Sequence, residues 1–242
     1  MVFRKAQPSQ TTSDLDARDR RRRGRGPDDA MADQAAWDPA DPYAGGAPTA
    51  ASGAPGVPSR PGPYDSSEVE HGSDPAAAGR DDFGALQIPR MAGVEVKVGI
   101  NQASQVDAVF LVQGASALEL RAFAAPKSRG LWDEDRRSVS ADVTRAGGVV
   151  TEGEGPFGRE LKVIMPGRTP DGQPVNKTLR FVGVDGPRWG LRGTLHGQAA
   201  SDPAAAGPLL SAMSAIVVVR GKSPMAPGEM IPLRDPHAAR PA

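Results

Sequence analysis

The chain has 242 residues, with 29 basic and 29 acidic side chains, 29 glycines, 24 prolines, 3 histidines and no cysteine, enough for one or two domains. A zero net charge leaves no whole-molecule field to attract a polyanion, and the absence of cysteine excludes disulfides, thiolate zinc sites, iron–sulfur clusters and cysteine nucleophiles. No apolar run reaches the ~18 residues of a membrane span, and no apolar core follows the N-terminal basic residues, so neither a transmembrane helix nor an ordinary signal peptide is expected.

The composition averages two unlike pieces. Between residues 26 and 80 the only Val, Ile, Leu or Phe residues are Val57 and Val69. Such a segment cannot bury enough apolar surface to offset roughly 1–2 kcal/mol of backbone entropy per ordered residue. Residues 1–80 therefore read as a long disordered arm. From 81 to 236 the same four types make up 39 of 156 residues, enough for a single folded domain, with 237–242 as a tail. The arm carries Arg20, Arg21, Arg22 and Arg23, flanked by Arg18 and Arg25, ahead of acidic residues between Asp28 and Asp41. The basic cluster reads as a hook for nucleic acid or anionic lipid, or as a solvated block drawn to the acidic one. A twin-arginine export signal needs a following apolar run, which residues 24–30 do not supply.

Within the domain, Val94, Val96, Val98 and Ile100 alternate with polar or small residues, the period of a half-buried strand. Residues 106–112 form an apolar strand, and Gly114-Ala115-Ser116 turns it into another over 118–125. From Leu131 the period changes. Trp132, Arg136, Val139 and Val143 make one stripe of an amphipathic helix, with Asp133, Glu134 and Asp135 in its first turns, Arg145 in its last and Gly147-Gly148 as its C-terminal cap. Residues 160–165, 178–184 and 188–196 read as strands, the last two joined at Asp185-Gly186-Pro187. Asp202 and Pro203 open a second helix as N-cap and first helical residue, which Pro208 is expected to shorten or delay. Residues 216–219 form a last buried strand. The pattern predicts an α+β fold with a mainly antiparallel sheet of six to seven strands and two helices, its halves resembling a duplication.

Several motifs imitate chemistry. Gly153-Glu154-Gly155-Pro156-Phe157-Gly158 spells a dinucleotide fingerprint, but Pro156 stands inside the loop and a strand, not a helix, is predicted to follow. Asp82-Phe83-Gly84 spells a kinase magnesium triplet without a catalytic segment, and Gly221-Lys222-Ser223 resembles the end of a phosphate loop whose first glycine is replaced by Ile216. His71, His196 and His237 are too scattered for a metal site; Asn176-Lys177-Thr178 reads as a loop entering a strand. No catalytic residue, cofactor or metal is expected.

The most informative stretch runs from Arg180 to Gly193. Alternation along its second strand puts Trp189, Leu191 and Leu195 on one face and Arg188, Arg192 and His196 on the other, with Gly190 and Gly193 leaving the backbone uncovered for an anionic ligand. The competing reading has Asp185 pin the turn and pair with Arg188 while Trp189 fills the core. Together with residues 122–127 and Leu131-Trp132, residues 155–161, 184–193 and 219–221, and Pro224-Met225, this stretch resembles an actinobacterial family of uncharacterised proteins, domain of unknown function 3710, over about residues 82–235. Gly190 departs from that family, whose members tend to carry a bulky residue there. The preponderance of arginine over lysine also suits such a source. The resemblance implies no activity and no catalytic residue.

Two functions are expected on these grounds. The first is a non-enzymatic cytoplasmic binding or adaptor module for a protein partner, with Asp185, Arg188, Trp189, Arg192 and Arg121 as candidate contacts. The alternative is a nucleic-acid-associated protein using Arg20, Arg21, Arg22, Arg23 and Arg25 together with the Arg188/Arg192 strand face.

Overall fold

The computed structural model describes residues 62–69, 74–128, 130–169 and 171–236. Residues 1–61, with the arginine cluster and the acidic stretch, lie outside these, as do His71, His237 and the tail. The fold is α+β and mainly antiparallel. Seven strands form one sheet: β4 (Glu95–Ile100), β5 (Val106–Gln113), β6 (Ser116–Ala124), β7 (Val149–Gly155), β8 (Gly158–Arg168), β9 (Pro174–Gly186) and β10 (Trp189–Gly197), in the order β4-β5-β6-β10-β9-β8-β7. A smaller sheet holds β1 (Tyr64–Asp65), β2 (Arg80–Asp82), β3 (Leu86–Pro89) and β11 (Val217–Val218) in the order β1-β11-β3-β2. Among the described residues there are two α-helices, α1 (Trp132–Arg145) and α2 (Pro203–Ser214).

Strand alternation sorts side chains to the two faces of the large sheet, and directly paired residues share a face. Gly193 pairs with Val182, and a Cβ on Gly193 would press on Leu118, Val182 and Met213 of α2. The next pair, Arg192 with Gly183, faces the other way, where a Cβ on Gly183 would strike the Trp132 ring of α1. The helices therefore lie on opposite faces. On the α2 side Leu86, Leu118, Leu120, Leu191, Leu195 and Met213 close the main core between the two sheets. On the α1 side Val143, Leu161, Val163, Met165 and Leu179 form a second cluster.

Each half carries an antiparallel meander followed by a helix, three strands (β4 to β6) before α1 and four (β7 to β10) before α2, and the meanders meet along β6 and β10. A two-fold axis through that pair would leave both helices on one face; they are not, so the repetition extends to strand order only.

Helix α1 matches its sequence pattern. Trp132, Arg136 and Val143 are buried, and Gly147 at φ 81 closes the last turn: its N–H donates to Thr144 O and that of Gly148 to Val143 O, the paired bonds of a Schellman cap. In α2, Asp202 accepts from Ala204 N at 2.9 Å with Pro203 at the start. Pro208 neither shortens nor delays this helix, which runs on to Ser214. The clash that a proline imposes on the preceding residue is partly with its Cβ, and residue 207 is glycine. Burial of Leu209, Leu210 and Met213 holds the remaining turns.

Three further features depart from the sequence pattern. Ile100 is 59% exposed, because the β4–β5 register shifts between Gly99 and Ile100 and passes over Asp107, a bulge that turns alternation around. Residues 149–155 form a strand, β7, paired with β8. Residues 62–69, assigned by composition to the arm, belong to the fold: β1 pairs in parallel with β11, and Tyr64 and Asp65 are buried.

Candidate functional site

The hairpin joining β9 to β10 closes through Gly186 paired with Trp189, leaving Pro187 and Arg188 at its tip. Arg188 has φ 65, so a proline precedes a left-handed residue as in a type II turn, where glycine is the usual choice. Its carbonyl accepts from Ala125 N at 2.9 Å and Arg220 Nε at 3.1 Å, and its guanidinium donates to Gly221 O at 3.2 Å. Arg188 thus stands in the turn beside residues 220–221.

Asp185 does not pair with Arg188. Its carboxylate accepts from Leu131 N at 2.6 Å and Trp132 N at 3.0 Å, supplying from β9 the N-cap that Leu131 itself cannot provide. Trp189 is 1% exposed and its Nε1 donates to Asp65 Oδ2 at 2.7 Å, fastening the large sheet to β1. Burial pushes the Asp65 carboxyl up, but hydrogen bonds from Ser67 and Trp189 outweigh it and hold the group below its ordinary range.

Arg192 and Arg121 are direct partners across β10 and β6, on the α1 side. Neither offers a free charge. Arg192 reaches Asp135 of α1 at 3.2 Å and lies over the Phe123 ring at 5.1 Å. Arg121 binds Glu119 at 2.6 Å and Asp107 at 3.4 Å. His196, which alternation places on this same face, is 4% exposed and meets Glu119 at 3.1 Å. Burial would raise the Glu119 pKa, yet the His196 hydrogen bond and the Arg121 charge bring it from 4.5 down to about 2. Sequence reasoning missed Asp107, Glu119 and Asp135; the alternation of Glu119 with Arg121 on one strand face was the available signal.

Gly190 and Gly193 do not expose the backbone, since both are buried. Gly193 lies under Leu118 and Met213, and Gly190 under Leu131. Beside Gly190 a space of about 10 Å³ is bounded by Phe123, Leu131, Asp185 and Arg192, room for one water at most. Next to it opens a cleft of about 220 Å³ between α1 and the C-terminal segment. Phe123, Pro126, Leu131 and Pro227 give it an apolar floor, and Glu134, Asp135 and Ser138 line its rim.

The imitation motifs resolve structurally. Residues 153–158 are the β7–β8 hairpin, with Phe157 packed on the main core and a strand following. Asp82 pairs with Arg234 and Phe83 is buried, and no helix follows Gly221. Asn176-Lys177-Thr178 lies within β9. Among the described residues no group of three or more His, Asp or Glu is placed to hold a metal, and no helix is long and apolar enough to cross a membrane.

Fold and site together define an α+β protein in which a large antiparallel sheet separates two helices and the Asp185 hairpin holds one of them beside an apolar cleft. The chain belongs to the family described as Protein of unknown function (DUF3710), whose model matches residues 62–242. No curated protein and no solved structure matches it.

Proposed function

We propose that the protein is a non-enzymatic cytoplasmic binding module, of actinobacterial origin, that docks a protein partner in the cleft beside α1, with the N-terminal arm as a tether to the domain. The cleft carries this reading. Small-molecule and cofactor sites occupy roughly 300–1,000 Å³; about 220 Å³ with an apolar floor suits an apolar side chain of a peptide segment. Asp185, Trp189 and Arg192 support the site as positioning residues: Asp185 caps the helix that forms one wall, Arg192 holds Asp135 and Phe123, and Trp189 anchors the strand beneath.

A photo-crosslinking side chain at Ser138, which is exposed, should capture one partner in the native host. With both proteins purified, binding should be lost in Ser138→Arg without a change in Tm. A partner that binds Ser138→Arg as tightly as the natural protein would overturn the reading. So would nucleotide turnover by the purified protein that disappears in Arg188→Ala.

The nucleic-acid reading through an Arg188/Arg192 strand face loses support from the pairing of Arg192 with Asp135. The basic residues that stand with Arg188 lie elsewhere.

A further inference from the structure

Many of the described cations in this fold are neutralised at short range: Arg90, Arg121, Arg136, Arg180, Arg192 and Arg234 each hold a carboxylate. Four that do not are gathered at one place. The bonds from Arg188 O to Ala125 N and Arg220 Nε, and from the Arg188 guanidinium to Gly221 O, tie three segments together, and those segments carry Lys127, Arg188, Arg220 and Lys222. Among the described residues none of the four has a carboxylate within ion-pair distance. The carboxylate that faces Arg188, Asp65, is buried and accepts from Ser67 and Trp189. Lys127 and Lys222 are exposed.

We infer that the accessible cations Lys127, Arg188 and Lys222, with the buried Arg220 adding its charge beside them, form a contact for the phosphate backbone of a nucleic acid. Unpaired cations on a surface lose their counterions when phosphates replace them, which is the source of sequence-independent affinity. Trp189, which follows Arg188, and Tyr64, which precedes Asp65, are buried, so neither ring offers a base-stacking platform beside the charges and the contact reads phosphates rather than bases. A lipid surface is disfavoured because the exposed large apolar residues, Ile100, Val149, Ile164 and Val175, belong to β4, β7, β8 and β9 and not to these three segments.

The test is fluorescence anisotropy of the full chain with a labelled duplex DNA of arbitrary sequence over a KCl series from about 50 to 200 mM. The variant combines Lys127→Gln, Arg188→Gly and Lys222→Gln; glycine suits the left-handed turn position, and Arg220 is kept because it also holds the Arg188 and Ser223 carbonyls. Each phosphate contact contributes about 0.9 to the slope of log K against log salt, so the variant should flatten it by up to about 2.7 at unchanged Tm. At 50 mM this corresponds to a larger loss of affinity than at 200 mM. An unchanged slope would overturn the inference. So would tighter binding of an acidic peptide spanning residues 28–41, or of anionic vesicles, than of the duplex, lost through the same substitutions.

Discussion

On the α2 side of the large sheet, β6 and β10 present Leu118, Leu120, Leu191 and Leu195, all fully buried; on the α1 side the same strands present Glu119, Arg121, Arg192 and His196. The first face is held by contact with hydrocarbon, which is non-directional and indifferent to pH. The second is held by mutual compensation: each charge is tolerable only because its partner is within hydrogen-bonding distance. Loss of one member should therefore cost as much on the polar face as loss of a whole leucine on the apolar face, and of these eight side chains only the polar ones should respond to acid.

The largest effect is expected at Glu119. Removing the carboxylate in Glu119→Ala leaves the buried His196 and the half-buried Arg121 without it, and breaking a buried pair in this way costs about 3–5 kcal/mol, read from the urea midpoint. The same residue provides the pH test. Its folded pKa of about 2 lies below the ordinary 4.5, so the stability it contributes is present above pH 4.5 and is lost as pH falls through about 2. Unfolding of Glu119→Gln should be flatter than that of the natural protein over that window. Equal slopes would mean that the polar face is not held by its charges.

The apolar face is tested by Leu195→Ala. A fully buried leucine cut to alanine loses transfer energy and leaves a cavity, about 3 kcal/mol together, with no change in the acid response. A loss below about 1 kcal/mol would mean that the main core collapses around the gap, and would narrow the contrast between the faces.

The same contrast shows what the sequence could reveal. The leucine face and α1 were legible because their signals are local: alternation over successive residues, a four-three-four stripe, an acidic first turn, a glycine pair after the last. Neither β1 nor β7 was. β1 is two residues among proline, glycine and serine, and its partners, Val217, Val218 and Trp189, lie more than a hundred positions away; β7 is an edge strand whose sequence, VVTEGEG, carries two glycines and mostly exposed side chains. The polar site was legible only in part, for a similar reason. Arg121, Asp185 and Arg192 stood out as residue types, but Glu119 meets His196 across 77 positions and Asp185 meets Leu131 across 54. Long-range pairing is set by the register of the whole sheet, which no window of sequence contains.

Asp185 joins the polar face to the helix that covers it. In Asp185→Ala the α1 N-terminus loses a cap, worth about 1 kcal/mol, and Asp185→Asn, which keeps an acceptor oxygen, should recover most of it. Thermal unfolding checks both. If the asparagine variant is as unstable as alanine, the negative charge toward the helix dipole, and not the hydrogen bond, is what matters at this position.

The smallest effect is expected at Gly190, where the two faces differ most finely. Gly193, on the leucine face, lies so close to Leu118 and Val182 that a Cβ would stand 2.9 Å from each, and the neighbours must shift to admit it. Gly190, on the polar face, would place a Cβ 3.4 Å from Leu131 and 3.5 Å from the Asp185 carboxylate, ordinary contact distances, next to the space of about 10 Å³. Gly190→Ala should therefore raise stability by about 0.5–1 kcal/mol, because a glycine in a strand loses more chain entropy than alanine on folding. The matching Gly193→Ala should lower it. Denaturant midpoints of the two variants, measured side by side, decide the matter: a destabilising Gly190→Ala would mean that the space beside Arg192 is required to stay open, and would move the binding surface from the outer cleft to the floor beneath Arg192.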